Sequence, residues 1–158
     1  MDPSCAWTSS FPGTVKGIVE ALRWIETLAA VQRFPEELSF DIQVCVEELF
    51  ANLVRHGGGL WSDDPAATGE AQTPILMSIN VTVGSGGVTV ILEDNGTPFD
   101  VAAAPPKQVD RPLEAARPGG LGIQLIKKLS SGLAYEHVNG LNRTTLKFLW
   151  PQSRFSLL

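Results

Sequence analysis

Three short stretches of this 158-residue sequence carry side chains whose types and spacing suit chemistry. The first is SFDIQVCVEELFANLVRH, residues 39–56. Glu48 and Asn52 stand four apart, so on a helix both project from one face, with His56 one turn further on. Glu47 falls about 100° around the axis, on another line. A carboxylate there can act as a general base for an incoming hydroxyl. A carboxamide one turn away offers a neutral oxygen to a hard cation such as Mg²⁺. The same pair serves equally as a solvated helix face, and His56 suits a helix end, where it meets terminal carbonyls. The second stretch is EDNGTPFD, residues 93–100. Asp94 ends an apolar strand and Gly96 sits where the chain must turn. A carboxylate at that point needs a hydrogen-bonding partner. Asp-Asn-Gly supplies one by itself as an Asx-type turn. The other reading makes Asp94 an acceptor for a ligand's N–H, with Gly96 letting the backbone approach closely. The third is RPGGLGI, residues 117–123, which opens a helix. Gly119, Gly120 and Gly122 leave backbone N–H groups exposed at a helix N-terminus, which is a ready anion site but also a common way to start a helix. It is not a Walker loop, because no Gly-Lys-Ser/Thr follows. Lys127 and Lys128 lie a turn or more into that helix and read as solvated surface.

These residues need a scaffold, and the periodicity describes one. Val15, Ile18, Val19, Leu22, Ile25 and Leu28 make the apolar stripe of a helix over 14–33, which Pro35 ends. A second helix runs over 39–56, with Ser39 as its N-cap, Asp41 in its first turn and a stripe of Ile42, Cys45 or Val46, Leu49 and Leu53. Residues 75–83 and 88–93 alternate around a glycine-rich reversal at 84–87, and 133–138 and 143–150 around Asn139-Gly140; both read as β-hairpins. A short helix spans 121–131 and an edge strand 5–11. Strands arriving in hairpins predict a largely antiparallel sheet of four or five strands, covered on one face by three helices: a two-layer α+β sandwich. Breaker-rich stretches at 57–74 and 97–120 interrupt this order.

Composition narrows the field by exclusion. Hydrophobic residues make up 44% of the chain, which excludes a disordered polymer. No apolar run is long enough to span a bilayer. The start, Met1-Asp2-Pro3-Ser4, has neither the basic nor the apolar region of a secretory signal. Cys5 and Cys45 cannot make a disulfide framework, and Cys45 lies in an apolar periodic segment; both points fit a reduced, cytoplasmic setting. A net charge of −5 argues against a general nucleic-acid binder. A polyanion bound by this chain must be held by something other than net charge.

The order of the three stretches is more specific than any one of them. A helix bearing Glu48-x-x-x-Asn52, a strand ending Asp94-x-Gly96, a long loop, then Gly120-x-Gly122 opening a helix and a final hairpin resembles the Bergerat-fold (GHKL) ATPases, the superfamily of DNA gyrase B, histidine kinases and MutL. EELFANLVRH looks like their N-box, DNGTPF like the first glycine box and GGLGIQLI like the second, so the resemblance covers about residues 14–150. The form D-x-G-x-P-F-D, then a proline-rich loop and P-G-G-L-G-I-x-L-I, and the closing hairpin YEHVNGLNRTTLKF are similar to the anti-sigma-factor serine kinases. A sensor histidine kinase would carry a dimerisation helix pair upstream, for which the stretch before residue 14 is too short, so the expectation is a single ATP-binding domain over 1–158.

The resemblance implies a site, residue by residue. Asp94 would accept the adenine amino group and Gly96 would let the base approach. Asn52 would bind Mg²⁺, and Glu48 would be the base that activates the attacking hydroxyl. Backbone N–H groups of Gly119, Gly120, Leu121 and Gly122 would hold the phosphates of ATP, beneath a lid over 100–118 in which Arg111 or Arg117 meets the γ-phosphate. A threonine of the last hairpin, Thr144 or Thr145, would support the adenine-side carboxylate, with Thr145 preferred. The implied function is a serine/threonine protein kinase that phosphorylates an anti-anti-sigma (STAS-type) partner and sequesters a sigma factor, often as a dimer. The alternative is a nucleotide-gated binding module with little kinase activity.

Overall fold

Alternation of apolar and polar residues decides the sheet. In the computed structural model, which describes residues 5–57, 73–104 and 120–151, the elements follow as β1 (Cys5–Pro12), α1 (Val15–Val31), α2 (Glu36–His56), β2 (Leu76–Gly84), β3 (Gly87–Asp94), α3 (Gly120–Leu129), β4 (Gly132–Val138) and β5 (Leu141–Leu149). The five strands lie in the order β1-β2-β3-β5-β4, each antiparallel to its neighbour. Val88, Val90 and Leu92 of β3 and Leu146 and Phe148 of β5 are buried beneath the helices. The residues between them take the opposite face, as the two-residue period of a strand requires. Met77, Ile79 and Val81 of β2 continue the same apolar face. Phe50, Ile25 and Ile126, one from each helix, close the core from above. This is the two-layer α+β sandwich, with three helices on one face.

Local chemistry explains the boundaries. The Thr14 hydroxyl accepts from the Gly17 N–H at 3.1 Å and caps α1. The sequence places the start of α2 at Ser39, but the helix begins at Glu36. Pro35 precedes it, and Glu36 and Glu37 suit the positive end of the helix dipole. Ser39 is therefore inside the helix, its N–H on the Pro35 carbonyl at 2.9 Å and its hydroxyl accepting from Gln43 Nε2 at 3.1 Å. Between β4 and β5, Asn139 (φ 54°) and Gly140 (φ 79°) both take the left-handed conformation of a tight type I′ reversal.

One connection positions the site. β4 runs parallel to β3 on the far side of β5, so the chain must cross the helical face between them. α3 makes that crossing and packs beside α2.

Candidate functional site

The expected chemical residues gather along one side of α2. Glu48 is half-buried and faces α3. A Cβ added to Gly122 would collide with Glu48 Oε2 and lie 2.8 Å from its Cδ, so only glycine lets the first turn of α3 close on that carboxylate. One turn along α2, Asn52 is 8% exposed, and its Nδ2 is buried with no hydrogen-bond partner among the described residues. An orphaned buried amide costs about 1–3 kcal/mol, so a carboxamide kept in this state fits a ligand that completes it. Oxygen and nitrogen exchange places by a half-turn of the amide, so the same position can offer an oxygen to a hard cation. At the end of α2, the Gly96 turn rests on the helix: a Cβ there would stand 2.6 Å from Leu53 Cδ1 and 3.1 Å from Gly57 Cα. The Thr97 N–H donates to the Gly57 carbonyl at 3.0 Å and fixes the contact.

Asp94 ends β3 on the helical face. Its Oδ1 accepts from the Gly96 N–H at 2.9 Å and from Asn142 Nδ2 at 2.8 Å. Burial raises the Asp94 carboxyl above its ordinary range, while Asn142, the Gly96 N–H and nearby His137 pull it back down. Asn142 is itself 4% exposed and ties the corner together. Its Nδ2 also reaches the carbonyls of Gly96 at 3.0 Å and Thr97 at 3.4 Å, and its Oδ1 accepts from the Tyr135 hydroxyl at 2.7 Å. Asn95, between the two site residues, turns the other way and clips the start of β2 through the Leu76 N–H and the Pro74 carbonyl.

This geometry corrects the threonine expectation. β3 and β5 are registered so that Asp94 faces Asn142, Leu92 faces Thr144 and Ile91 faces Thr145. Thr145 therefore lies on the outer face of the sheet, with Arg143 and Lys147, and cannot reach Asp94. Thr144 is buried on the inner face but two residues deeper. Asn142 makes the contact expected of a threonine. The signal for it was parity: Leu146 and Phe148 mark the inner positions of β5, and Asn142 shares their parity.

Of the phosphate-side residues, Gly120, Leu121 and Gly122 form the first turn of α3, whose leading N–H groups have no acceptor within the helix. Gly119, Arg111 and Arg117 lie outside the described residues. His56 is exposed at the end of α2, beside Arg55. Lys127 is exposed, yet its Nζ donates to the Ala104 carbonyl at 2.9 Å and so ties α3 to the root of the long loop. Val101 is buried in the core at that root, and Asp100 Oδ1 accepts from the N–H groups of Ala102 and Ala103. The loop between these anchors, including most of the stretch read as a lid, is outside the described residues, as are residues 58–72.

Comparisons with known proteins agree with this arrangement. Residues 11–148 match the histidine kinase-like ATPase domain family. The serine/threonine-protein kinase BtrW of Bordetella bronchiseptica is 29% identical over 133 residues, covering 84% of this chain and 86% of BtrW. The structure of the RsbU and RsbW domains of Rv1364c from Mycobacterium tuberculosis superposes with a TM-score of 0.61 at 16% identity over 98% of this chain, a likeness of fold. The chain spans 35% of that structure.

Proposed function

The chain belongs to the histidine kinase-like ATPase domain family, and from that membership we propose that it is a Mg²⁺–ATP-dependent serine/threonine protein kinase of the anti-sigma-factor type. Its protein substrate is a serine on a small STAS-type anti-anti-sigma partner. The unmodified partner competes for the kinase, and when it is absent the same chain holds a sigma factor.

The observation that carries the reading is the convergence on α2. A base candidate, an unsatisfied carboxamide and a carboxylate-bearing turn follow one another along one side of a single helix. Asp94 offers its remaining oxygen to the amino group of adenine. The N–H groups that open α3 receive phosphate oxygens, aided by the helix dipole. Among the described residues no group of three His, Cys, Asp or Glu side chains could hold a metal ion. Asn52 would be the side chain that holds a hard cation here, with phosphate oxygens as the natural complement. Mg²⁺ bound there would supply charge neutralisation on the phosphates during phosphoryl transfer. Glu48 accepts the proton of the attacking serine hydroxyl as the oxygen–phosphorus bond forms. Holding Glu48 against Gly122 places that base where the phosphate-binding turn begins. Most of the rate enhancement comes from positioning and electrostatics, as phosphoryl transfer allows.

Two measurements test this. Isothermal titration with Mg²⁺–ATP should show binding that Asp94→Ala abolishes. Transfer of γ-³²P to STAS-domain proteins should depend on Glu48. Labelling by Glu48→Ala as strong as by wild type would remove Glu48 as the base. ATP-dependent capture of a partner with no labelled product would point instead to the nucleotide-gated binding module. Among the described residues no helix is long and apolar enough to cross a membrane.

A further inference from the structure

The inner end of β5 carries a polar network that the reaction itself does not require. Asn142 is buried, and its amide orientation is fixed by its surroundings. Nδ2 meets three acceptors: Asp94 Oδ1 at 2.8 Å, the Gly96 carbonyl at 3.0 Å and the Thr97 carbonyl at 3.4 Å. Oδ1 meets the Tyr135 hydroxyl at 2.7 Å and His137 Nδ1 at 3.1 Å. Turning the amide over would set its oxygen against a carboxylate and two carbonyls, so only one orientation satisfies the site. It follows that His137 carries a proton on Nδ1, whatever its charge. The network thus runs from Tyr135 and His137 of β4 through Asn142 to the Asp94 carboxylate.

Its effect falls on one oxygen. Oδ1 of Asp94 receives both the Gly96 N–H and the Asn142 amide, which fills its two lone pairs. No described residue donates to Oδ2. The carboxylate thus presents a single free acceptor to whatever binds beside it. We propose that Asn142 is a specificity-determining residue: by occupying Asp94 Oδ1 it leaves one acceptor oxygen, which suits the single amino donor of adenine and rejects guanine. Guanine presents adjacent N1–H and amino donors, which pair best with both oxygens of a carboxylate. With Oδ1 filled, that bidentate pairing is closed. In the alternative pose guanine sets its carbonyl oxygen against Oδ2, where two acceptors repel. The proposal rests on the reading of this corner as a nucleotide-base pocket.

The test compares Mg²⁺–ATP and Mg²⁺–GTP titrations of the full chain as wild type, Asn142→Leu and Tyr135→Phe, with thermal melts to establish folding. Wild type should prefer ATP. Asn142→Leu frees one lone pair of Oδ1 while the Gly96 N–H keeps the other, and the ratio of ATP to GTP affinity should fall about tenfold or more, the worth of one hydrogen bond to a charged group. Tyr135→Phe removes the hydroxyl that holds Asn142 in orientation and should narrow the ratio by a smaller factor; it carries the test if Asn142→Leu does not fold. A merely structural role for Asn142 weakens both nucleotides together and leaves the ratio alone. An unchanged ratio in the folded variant overturns the proposal while the ATP reading stands. A wild type that binds neither nucleotide overturns both.

Discussion

Gly122→Ala separates the placement of Glu48 from the stability of the fold. The added Cβ would collide with Glu48 Oε2 and lie 2.8 Å from Cδ and 3.3 Å from Cγ. Ordinary contact begins at 3.4 Å, so the carboxylate must retreat by about 1 Å or more to clear the methyl group. Glu48 is half-buried and its head is the far end of a flexible side chain, so the retreat costs little in folding. Alanine in place of glycine also favours the helix by about 0.5–1 kcal/mol, so the melting temperature should hold or rise slightly. Catalysis should respond differently. A misplacement of about 1 Å at a reacting group can cost on the order of 100-fold, or about 2.7 kcal/mol of barrier. The expected result is an intact Tm, near-normal binding of Mg²⁺–ATP, and phosphoryl transfer to the STAS substrate reduced about 100-fold in kcat. The assay is γ-³²P transfer at saturating ATP, beside a thermal melt. Adding Glu48→Ala to Gly122→Ala should produce no further loss, because both act on the same carboxylate. Wild-type turnover in Gly122→Ala, or full additivity in the double variant, would refute the reasoning that α3 sets the position of the base.

Three further outcomes follow from the same geometry. Gly96→Ala should behave oppositely to Gly122→Ala, because its Cβ would meet Leu53 Cδ1 at 2.6 Å and the Gly57 backbone at 3.1 Å; overpacking of this kind costs about 1–3 kcal/mol, read as a lowered denaturation midpoint. Asp94→Asn should raise the Tm of the nucleotide-free protein at neutral pH. Burial raises the folded carboxyl pKa, so the stability it contributes is full below the ordinary carboxylate range and is lost as pH rises through the folded value. The gain over wild type should vanish in melts at acid pH, and the same variant should lose ATP binding. The Cys45 thiol, pushed up to about 12 by burial and then by Asp41 and Glu48, should resist a thiol reagent at pH 8 while exposed Cys5 reacts; a count of two fast thiols in the native protein would contradict the packing around α2.

The fold was legible because hairpins write two signals at once, a turn and an alternation. Asn139-Gly140 fixed the last hairpin, and the spacing of Ile25, Leu28, Ile42 and Leu49 fixed the helical face. The start of α2 was misplaced because Ser39 looks like a cap, whereas a proline followed by two glutamates does the work three residues earlier. In the candidate site, Glu48, Asn52, Asp94 and Gly122 could be named because each sits in a stretch with its own spacing rule. That they meet is a matter of tertiary contact: Gly122 touches Glu48, and Gly96 touches Leu53 and Gly57, across different elements. Asn142 was missed for the same reason. Its parity with Leu146 and Phe148 marks it as inward-facing, but its partner Asp94 appears only when β5 is registered against β3. Lys127 is exposed, as its place in the helix suggests, but its bond to the Ala104 carbonyl, 23 residues away, was not legible.

A net charge of −5 and a triphosphate ligand are compatible because the described site is built from dipoles and one carboxamide rather than from a basic surface. Arg143, which the sequence places in the closing hairpin, is spent on Glu93 and Glu136 on the outer face of the sheet. Lys127 is engaged at the loop root. On the proposed reading the phosphates would meet the opening turn of α3, and its strength as an anion site would depend on how closely that turn can approach α2. Approach is governed by the glycine at 122, and the same glycine sets the carboxylate that would deprotonate the substrate. Anion binding and base placement are therefore one packing decision. On the proposed reading, a helix that receives the phosphates could not move away from α2 without releasing the base, which would give a kinase of this build a direct link between nucleotide seating and competence for transfer.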